Sequence, residues 1–454
     1  MKILITGATG LIGKELGKVL AEKGHEIFVI SRSLAKAREV LPFPCEVIVG
    51  DLSKGTIEDP MLEKIEAVVN LMGEPVVGMK WTEDKKKSIY DSRVLGTKHL
   101  IESLPHDLKV FVGGSAIGYY GSCGDEVLKE DHAPGSDFLS KVTVDWEAQT
   151  QKAPGRKALI RTSIVLAHHG GALDEMLFPF RAGVGGMLGD GQQWMSWIHL
   201  KDIVGLFVYA LENRHVEGPI NGCAPNPVRN KEFSQHLAQS LHKTLGPAVP
   251  HLALKALFGE AAAVITSSIR GSAERAESLG YKFHHRDLKE TLHEICAPYR
   301  EGEDVFYAEQ FIPKPPEEVF TFFRDPHNLE SLTPPTLNFH IEAVSTPEIG
   351  QGTTIDYKLK IHGVPARWKT EIDEWMPPHK FVDNQAKGPY RLWHHTHEFR
   401  PYLGGTLMVD RVRYRLPMGY VGWLMGSKFV RKDVENIFHF RRQFIARMDT
   451  PRKP

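Results

Sequence analysis

The sequence has few cysteines, no excess of charge and no long apolar run. Four cysteines occur among the 454 residues, and no two of them form a CxxC pair. Their wide spacing argues against a zinc cluster or a disulfide framework and suits a reducing compartment. Lysine plus arginine and aspartate plus glutamate are equal at 56 each, so the formal net charge is zero. This balance provides no overall attraction to nucleic acid, and we expect no nucleic-acid partner.

The length of the chain and its lack of long apolar segments indicate how many domains to expect and whether it spans a membrane. A chain of 454 residues exceeds the roughly 250–300 at which a single core stops growing, which predicts two domains. No stretch reaches about 18 consecutive apolar residues, so we predict no membrane span. The first residues enter a strand and a glycine turn directly, without the apolar segment of a signal peptide. These features predict a cytoplasmic protein.

The segment GATGLIG at residues 7–13 follows the apolar run KILIT. KILIT is typical of a buried strand, KELGKVLAEKG has helical spacing, and HEIFVISRS is typical of a second strand. Together they form one β-α-β unit, the context that a glycine fingerprint for dinucleotide binding requires. Gly7, Gly10 and Gly13 allow a tight turn and let backbone N–H groups approach a pyrophosphate at the helix N-terminus. We therefore predict a nucleotide site in a doubly wound parallel sheet.

The end of the second strand indicates which nucleotide is bound. An NAD site usually carries Asp or Glu there for the ribose 2′-hydroxyl, whereas Arg accommodates a 2′-phosphate. This chain has Ser31 and Arg32 at that point and no acidic residue. We predict NADP(H) as the cofactor; the alternative is an exposed arginine at a strand end without a ligand.

Further motifs place about the first 298 residues close to one family. They are VVNLMGEPV at 68–76, KWTEDKKKSIYDSRVLGT at 80–97, SAIGYYG at 115–121, GGMLGDGQQWMSWIHLKD at 185–202 and NGCAPNPVRNKEF at 221–233. In this order they resemble the atypical, extended short-chain dehydrogenases/reductases, in particular the epimerase-family proteins of the SDR 39U and YfcH type. The resemblance implies an NADP-binding Rossmann domain over residues 1–298 and a small-molecule substrate that this branch leaves undefined.

The resemblance also implies which residues contact the cofactor. The pyrophosphate would be held by Gly7, Thr9, Gly10, Leu11, Ile12 and Gly13, and the 2′-phosphate side by Ser31 and Arg32. The other implied contacts are Asn70, Leu71, Met72 and Gly73 along the ribose, Arg93 near the cofactor, and Val165 beside the nicotinamide. For the isolated apolar residues, packing in the core is the alternative.

The usual catalytic pair of this superfamily is missing. It consists of a Tyr and a Lys four residues later, and the Lys lowers the Tyr pKa so that its hydroxyl exchanges a proton as hydride moves. None of the twelve tyrosines has Lys at that spacing; Asp137 and Lys141 stand in the expected region. We predict that Ser115, as a donor to a substrate carbonyl, and Tyr119, as acid or base, form the chemical end of the site. The alternative is a substrate-lining turn without proton transfer.

Residues 303–450 predict a second domain. After an irregular linker at 297–305, the predicted order is a strand, two helices, six strands and a long helix near 428–448. This order resembles the START/Bet v 1-like (SRPBCC) helix-grip domains, which wrap an antiparallel sheet around the last helix and leave an apolar cavity. The fold class is thus α/β Rossmann followed by an α+β helix-grip domain. The residues that would line the cavity, or form plain core, are Trp368, Trp375, Trp393, Phe399 and Trp423.

Three single features have structural interpretations. His199 precedes a predicted helix, and we predict that it caps that helix. In LWHHTHEF at 392–399, His395 and His397 share one face of a strand and His394 points the other way. No acidic or cysteine partner at a recognisable spacing accompanies them, so we predict no metal site. The basic residues predicted on a solvated face of the last helix are Lys428, Arg431, Lys432, Arg441, Arg442 and Arg447.

Two functions are compatible with this sequence. The first is an NADP(H)-dependent oxidoreductase or epimerase whose C-terminal domain holds an apolar substrate. The second is a non-catalytic protein that senses NADP(H) or binds a lipid or another apolar ligand. The complete cofactor site favours the first and the missing Tyr–Lys pair favours the second. The substrate and the oligomeric state stay open.

Overall fold

The structure, a computed structural model, describes residues 1–76, 80–299 and 302–448. It divides into two units: residues 1–32 with 45–297, and residues 33–44 with 298 onward. The sequence predicted an uninterrupted first domain, whereas residues 33–44 cluster with the second unit. Residues 300 and 301 of the predicted linker, and 449 and 450 of the predicted second domain, lie outside the described residues.

Residues 1–297 contain both strands and helices. In chain order the strands are β1 (Lys2–Thr6), β2 (Glu26–Ser31), β3 (Glu46–Val49), β4 (Ala67–Asn70), β5 (Val110–Ala116), β6 (Val127–Leu128), β7 (Arg156–Thr162), β8 (Ile164–Leu166), β9 (Trp194–Met195), β10 (Trp197–His199), β11 (Gly218–Gly222), β12 (Val228–Arg229) and β13 (Arg270–Gly271). The helices are α1 (Leu11–Glu22), α2 (Leu34–Val40), α3 (Glu83–Glu102), α4 (Phe138–Thr150), α5 (Gly171–Arg181), α6 (Leu200–Glu212), α7 (Asn230–Ser240), α8 (His251–Phe258), α9 (Ala262–Thr266), α10 (Glu274–Ser278) and α11 (Leu288–Cys296).

A seven-stranded parallel sheet of order β3-β2-β1-β4-β5-β7-β11 organises the first unit. Such a sheet is covered on both faces, which explains why strands such as β1 are almost entirely apolar and buried. The chain winds from β1 to β2 and β3 on one side and through the later strands on the other, so the direction of winding changes between β1 and β4. Ligands of these sheets bind at the carboxyl ends of the strands beside this switch point. The predicted doubly wound fold is confirmed.

The second unit contains the remaining elements. Its strands are β14 (Asp304–Ile312), β15 (His340–Val344), β16 (Thr354–Ile361), β17 (Val364–Met376), β18 (Lys380–Lys387), β19 (Leu392–Tyr402) and β20 (Gly405–Arg415), and its helices after α2 are α12 (Pro316–Arg324), α13 (Asn328–Ser331) and α14 (Gly419–Met448). The strands form one antiparallel sheet of order β14-β20-β19-β18-β17-β16-β15. The predicted element order and the helix-grip class are therefore confirmed.

The long helix α14 begins at Gly419, whereas the sequence predicted a start near residue 428. Glycines at 419, 422 and 426 mask the helical pattern there, because glycine has a low helix propensity. Further along, Val434, Phe438 and Ile445 recur at helical spacing and pack in apolar clusters with residues of the sheet. None of the helices in the described part of the chain is both long and apolar enough to cross a membrane.

A two-residue turn fixes the register between β19 and β20. Leu403 and Gly404 have φ angles of +45° and +83°, and positive φ at both residues is what a type I′ hairpin turn needs. Tyr402 pairs with Gly405 across the turn, and the ladder continues without a shift to the pair of Leu392 and Arg415. Each side chain of β19 therefore has a defined face.

Candidate functional site

The glycine turn joins β1 to α1 at the switch point. Gly7 has a φ of +68°, and a Cβ there would lie 2.6 Å from the carbonyl oxygen of Leu71. A Cβ on Gly13 would lie 2.4 Å from the carbonyl oxygen of Gly7, so only glycine lets the helix approach the turn this closely. Gly10 is the N-cap of α1, no described side chain caps this helix, and its first turn contains no acidic residue. The turn therefore presents backbone N–H groups and a positive dipole end to an anion.

The other residues of the predicted turn and of the β2 end surround this position. Thr9 is exposed, Leu11 and Ile12 are half-buried, and Ser31 is half-buried at the last position of β2. Arg32 follows β2 and is exposed. A guanidinium at an exposed strand end suits a 2′-phosphate.

Asn70 ends β4 with its side chain fully buried. Its amide oxygen accepts a hydrogen bond from Thr6 Oγ1 at 2.6 Å, and its amide nitrogen donates to Thr97 Oγ1 at 2.8 Å. Asn70 at the end of β4 is thus hydrogen-bonded both to the end of β1 and to helix α3. The segment that would follow the ribose continues through Leu71 and Met72, which are half-buried, to the exposed Gly73.

Arg93 holds the loop after β4 in place. Its Nη1 donates to the carbonyl oxygen of Glu74 at 2.9 Å, and its guanidinium carbon lies 5.4 Å from the ring centroid of Trp146. A Cβ on Gly73 would lie 2.9 Å from this guanidinium. Burial lowers the pKa of Arg93 to about 10. Arg93 therefore shapes the segment predicted to follow the cofactor.

Val165 lies in β8, close to the glycine turn. A Cβ on Gly171 would lie 3.0 Å from Leu11 Cδ2 and 3.5 Å from the carbonyl oxygen of Val165. The structure therefore brings Val165 and Leu11, both predicted cofactor contacts, into one region.

Ser115 lies near the carboxyl end of β5 within a buried polar network. Its hydroxyl donates to Glu147 Oε1 at 2.5 Å, and Glu147 accepts two bonds from Arg161, 2.8 and 2.9 Å long. Burial lowers the pKa of Arg161, but Glu147 raises it more, so the guanidinium stays charged. The hydroxyl of Tyr120 accepts from Arg161 and donates to Asn221, both at 2.8 Å. These five residues form the serine network.

The two tyrosines after β5 have different surroundings. Tyr120 is buried with its hydroxyl occupied, and burial raises the pKa of Tyr120 to about 12 against the attraction of Arg161. Tyr119 is half-buried, and the guanidinium of Arg161 lies 3.5 Å from its ring centroid. No local sequence pattern indicates this cation, because Arg161 comes from β7, where it lies directly opposite Ser115 in the sheet.

Helix α4 occupies the place of the usual Tyr–Lys pair. Asp137 is its N-cap and accepts a hydrogen bond from the backbone N–H of Ser140 at 2.9 Å, while Lys141 is exposed. The same helix presents Glu147 to Ser115. The Ser115 hydroxyl thus donates to Glu147 in this structure, and its role as a donor to a substrate carbonyl stays a prediction.

His199 is the N-cap of α6, as predicted, and its side chain accepts from the backbone N–H of Lys201 at 3.2 Å. Its ring stacks on that of His285 with centroids 3.7 Å apart. Burial, followed by the nearby charge of His285, lowers the pKa of His199 to about 3. His199 is therefore a neutral, structural imidazole at physiological pH.

The second unit encloses a cavity of about 610 Å³ between the sheet and helices including α14. Three of the five predicted aromatic residues, Trp368, Trp375 and Trp393, line it. Phe399 instead packs in the apolar core, and the indole N–H of Trp423 donates to Asp304 at 2.9 Å. The predicted apolar cavity is thus present, with Trp368, Trp375 and Trp393 on its wall, and Phe399 follows the alternative of plain core.

Polar side chains interrupt the apolar wall of this cavity. Four of them lie together: Asp383 on β18, His395 and His397 on β19, and Arg441 on α14; Asp410 on β20 contacts both histidines. These five residues form the histidine cluster. Arg441, predicted on a solvated face, is only 6% exposed. The sequence also missed Asp383, because this acidic partner reaches His395 from the neighbouring strand.

The two imidazoles of the histidine cluster lie between two carboxylates. Nδ1 of His395 and Nε2 of His397 are 3.4 and 2.9 Å from Asp383 Oδ2. Their other ring nitrogens are 3.1 and 3.0 Å from Asp410 Oδ1. Burial raises the pKa of both carboxyl groups, but the neighbouring cationic and imidazole groups lower it more, so both stay ionised. His394 faces the other side, where its Nδ1 lies 2.7 Å from Asn384 Oδ1.

Three family models match successive parts of the chain. The NAD dependent epimerase/dehydratase family matches residues 3–221, and a domain of unknown function matches residues 249–295. The polyketide cyclase/dehydrase and lipid transport family matches residues 312–438. The two named families correspond to the parallel sheet and to the antiparallel sheet with its cavity.

Several relatives match the first part of the chain along most of their own length. The chloroplastic SDR39U1 homologue of Arabidopsis thaliana is 40% identical over 306 residues, which are 65% of this chain and 86% of that protein. YfhF of Bacillus subtilis is 33% identical over 65% of this chain and 98% of its own length. The crystal structure of human SDR39U1 with NADPH is 31% identical, with a TM-score of 0.59 over 65% of this chain and 99% of that one. The chain therefore belongs to the epimerase family of short-chain dehydrogenases/reductases represented by SDR39U1, and it continues into a domain of the polyketide cyclase and lipid transport family.

Proposed function

We propose that the protein is an NADP(H)-dependent oxidoreductase or epimerase that acts on a small substrate. The observation that carries this proposal is the glycine turn at the switch point, followed by an exposed Arg32 where an NAD site would have an acidic residue. The related human protein, crystallised with NADPH, supports it. The cavity of the second unit, as a separate feature, would hold an apolar ligand.

The residues of the first unit fit a dinucleotide. Gly7 lets the turn pack against Leu71, Gly13 lets α1 approach the turn, and the uncapped end of α1 can accept the pyrophosphate. Arg32 would hold the 2′-phosphate, and Val165 and Leu11 would lie beside the rest of the cofactor. When bound, the nicotinamide supplies or accepts a hydride.

Within this proposal the serine network is a rigid support and Tyr119 is the proton donor or acceptor. Ser115 and Tyr120 have their hydroxyl protons committed to Glu147 and Asn221. Tyr119, by contrast, is half-buried, and Arg161 places positive charge against its ring. Ser115 is a positioning residue: it bonds to Glu147, and Glu147 holds Arg161 against the ring of Tyr119.

Calorimetric titration with NADPH and NADH tests the cofactor assignment. We expect wild type to prefer NADPH, and Arg32→Gln to weaken NADPH binding about tenfold or more, since a charge-assisted hydrogen bond contributes about 1.5–3 kcal/mol. NADH binding should be unchanged in the variant. Arg214→Gln, which removes another exposed arginine, is the matched control. Equal affinity for both nucleotides in wild type, or no binding of either, contradicts the assignment.

Transfer of a deuterium label tests catalysis. NADPH deuterated at the reactive carbon is incubated with the protein and a metabolite extract, and mass spectrometry identifies metabolites that gain one deuterium. We expect such a product with wild type and a strong loss with Tyr119→Phe. Tyr120→Phe, which keeps the ring and removes the buried hydroxyl, should lower the yield only as far as it lowers stability. Net reduction is read from the label, and epimerisation from inversion of a stereocentre without net cofactor consumption.

The second candidate is a non-catalytic protein that senses NADP(H) or binds an apolar ligand. It is favoured by the position of Asp137 and Lys141, which leaves no Tyr–Lys pair on α4, and by the occupied hydroxyl of Ser115. Tight NADPH binding without label transfer or inversion would support this candidate over the enzyme.

A further inference from the structure

The histidine cluster surrounds its two imidazoles with the carboxylate oxygens of Asp383 and Asp410. All four ring nitrogens of His395 and His397 lie within 3.4 Å of a carboxylate oxygen. Two neutral imidazoles carry only two N–H groups, so two ring lone pairs then face carboxylate oxygens. Four donated bonds would require two imidazolium rings, whose centroids are 3.6 Å apart in a buried site that also holds Arg441. Like charges at such short separation repel strongly in a buried site.

A cation on the Asp383 side satisfies these contacts without an additional proton and without a bond from Arg441 to His397. Nδ1 of His395 and Nε2 of His397 would then turn their lone pairs to the cation, together with Asp383 Oδ2. Both remaining ring nitrogens would carry their protons and donate to Asp410 Oδ1, at the observed separations of 3.1 and 3.0 Å. A carboxylate behind the imidazoles is the usual second partner of histidines that bind metals.

The spacing of the three ligand atoms suits a transition metal. One ligand atom of each of Asp383, His395 and His397 lies within 4.8 Å of those of the other two. Bonds of about 2.0–2.1 Å place adjacent ligands about 3.3 Å apart in a tetrahedral site and about 2.9 Å apart in an octahedral one. The carboxylate oxygen is 3.4 Å from the ring nitrogen of His395 and 2.9 Å from that of His397. Two imidazoles and one carboxylate, with further positions open, is a known ligand set for Zn²⁺ and for Fe²⁺.

We propose that Asp383, His395 and His397 bind one divalent transition-metal ion, Zn²⁺ or Fe²⁺, on the wall of the cavity. All three residues line the cavity, so the remaining coordination positions face it. With neutral imidazoles, the charges of a divalent ion, Arg441, Asp383 and Asp410 sum to plus one. An apolar ligand with an anionic oxygen group, such as a carboxylate, neutralises this charge by completing the coordination. This proposal concerns the second unit and does not depend on NADP(H) binding by the first.

Arg441 provides the competing arrangement. Its Nη2 lies 3.0 Å from His397 Nδ1 and 3.6 Å from Asp410 Oδ1. If Nδ1 of His397 accepts a bond from Arg441, the same nitrogen cannot donate to Asp410, and His397 keeps its proton on the Asp383 side. One additional proton on His395 then gives every ring nitrogen a partner, so this arrangement competes with the metal-bound one. Metal binding requires that Arg441 no longer donates to His397 Nδ1 and instead donates to Asp410 Oδ1. Removal of Arg441 should therefore strengthen metal binding, because it removes both a buried positive charge and this competitor.

The test is a metal titration of the full chain. Protein freed of metal with EDTA is titrated with Zn²⁺, with Fe²⁺ under anaerobic conditions and with Mg²⁺, and bound metal is counted by mass spectrometry after dialysis. We expect one Zn²⁺ or Fe²⁺ per chain and no comparable binding of Mg²⁺. His395→Gln and Asp383→Asn should lose this ion, and Asp410→Asn should bind it about 10–100-fold more weakly. Arg441→Met should bind it more tightly than wild type.

His394→Gln is the matched control, because this histidine lies on the same strand and faces the other side. It should keep the wild-type stoichiometry and affinity. Circular dichroism in EDTA identifies variants that have lost their fold, and Arg441→Met keeps the test decisive because it predicts a gain. No bound ion in wild type, equal loss in His394→Gln, or Mg²⁺ binding as tight as Zn²⁺ binding would overturn the proposal.

The absorption spectrum of Co²⁺ tests whether the metal has an open coordination position that a ligand can fill. Co²⁺ in the site should give visible absorption bands, and addition of decanoate should shift them if a carboxylate completes the coordination. The bands should be absent in His395→Gln and present in His394→Gln. If decanoate leaves the bands unchanged, the inferred ligand class is wrong. The metal site itself is tested separately by the metal titration.

Discussion

Each of the two units buries a polar cluster, and the two clusters differ in how well hydrogen-bond donors are paired with acceptors. In the serine network, Glu147 receives two parallel bonds from Arg161 and one from Ser115, so each group has a partner of the right kind. In the histidine cluster, carboxylates lie on both sides of two imidazoles, and two neutral rings have N–H groups for only two of these four contacts. Buried polar groups in proteins are generally satisfied. A matched cluster thus indicates a support, and a mismatched one on a cavity wall indicates a binding site.

The same substitution in both clusters gives the largest expected contrast. Arg161→Leu leaves the buried carboxylate of Glu147 without a cation, and loss of one partner of a buried ion pair costs about 3–5 kcal/mol. Arg441→Leu should cost less, because Nη2 of Arg441 is 3.6 Å from Asp410 Oδ1, whereas Arg161 makes two hydrogen bonds of 2.8 and 2.9 Å to Glu147. Urea unfolding followed by circular dichroism measures both, and the transition that NADPH shifts reports on the first unit.

An exposed ion pair provides the control for this contrast. Lys109 and Glu66 form a salt bridge with the lysine side chain 63% exposed, so Lys109→Ala should cost less than about 1 kcal/mol. Equal losses for Arg161→Leu and Arg441→Leu would remove the distinction between the two clusters.

Acidification gives the next largest effect, at His199 of the first unit. Its pKa in the folded protein is about 3, below the unfolded value of about 6.5. The unfolded chain therefore binds the extra proton first, and stability is complete above pH 6.5 and falls as the pH drops towards 3. At pH 5 this one group lowers the free energy of unfolding by about 2 kcal/mol relative to neutral pH.

His199→Asn isolates this contribution. Asparagine can still cap α6 but does not titrate, so the stability difference between wild type and variant should change by that amount between pH 7.5 and pH 5. A difference that stays constant over this range would show that His199 keeps an ordinary pKa.

The smallest expected effect separates the two tyrosines after β5. Tyr120→Phe removes the hydroxyl that links Arg161 to Asn221 and should cost about 1 kcal/mol of unfolding free energy. Tyr119→Phe should change stability by less than about 0.5 kcal/mol, while it abolishes label transfer if Tyr119 moves the proton. A large loss of stability in Tyr119→Phe would instead place Tyr119 within the support.

The sequence predicted what depends on local pattern. Apolar runs, the glycine fingerprint and the order of elements in the second unit led to the parallel sheet and the helix-grip domain, both of which are confirmed. The start of α14 was predicted too late, because Gly422 and Gly426 weaken the helical signal in an otherwise apolar stretch. The clustering of residues 33–44 with the second unit depends on tertiary contacts that no local pattern reports.

The chemistry of both clusters was harder to predict, because it comes from neighbouring strands that lie far apart in the sequence. Arg161 reaches Tyr119 and Ser115 from β7, and Asp383 reaches the two histidines from β18. The alternation of residues on β19 did predict that His395 and His397 share a face. A search for acidic residues opposite this face, on strands predicted to pair with β19, could have found Asp383.

The hairpin at Leu403 and Gly404 has a consequence for the cavity at a distance. If an additional residue in this loop shifted β20 by one residue against β19, Asp410 would move to the outer side of the sheet, while His395 and His397 would stay paired with β18. The two imidazoles would then contact only the carboxylate of Asp383. Loop length at the sheet's end thus sets the electrostatic character of the interior, and an insertion there could retune ligand preference without replacing any residue that touches the ligand.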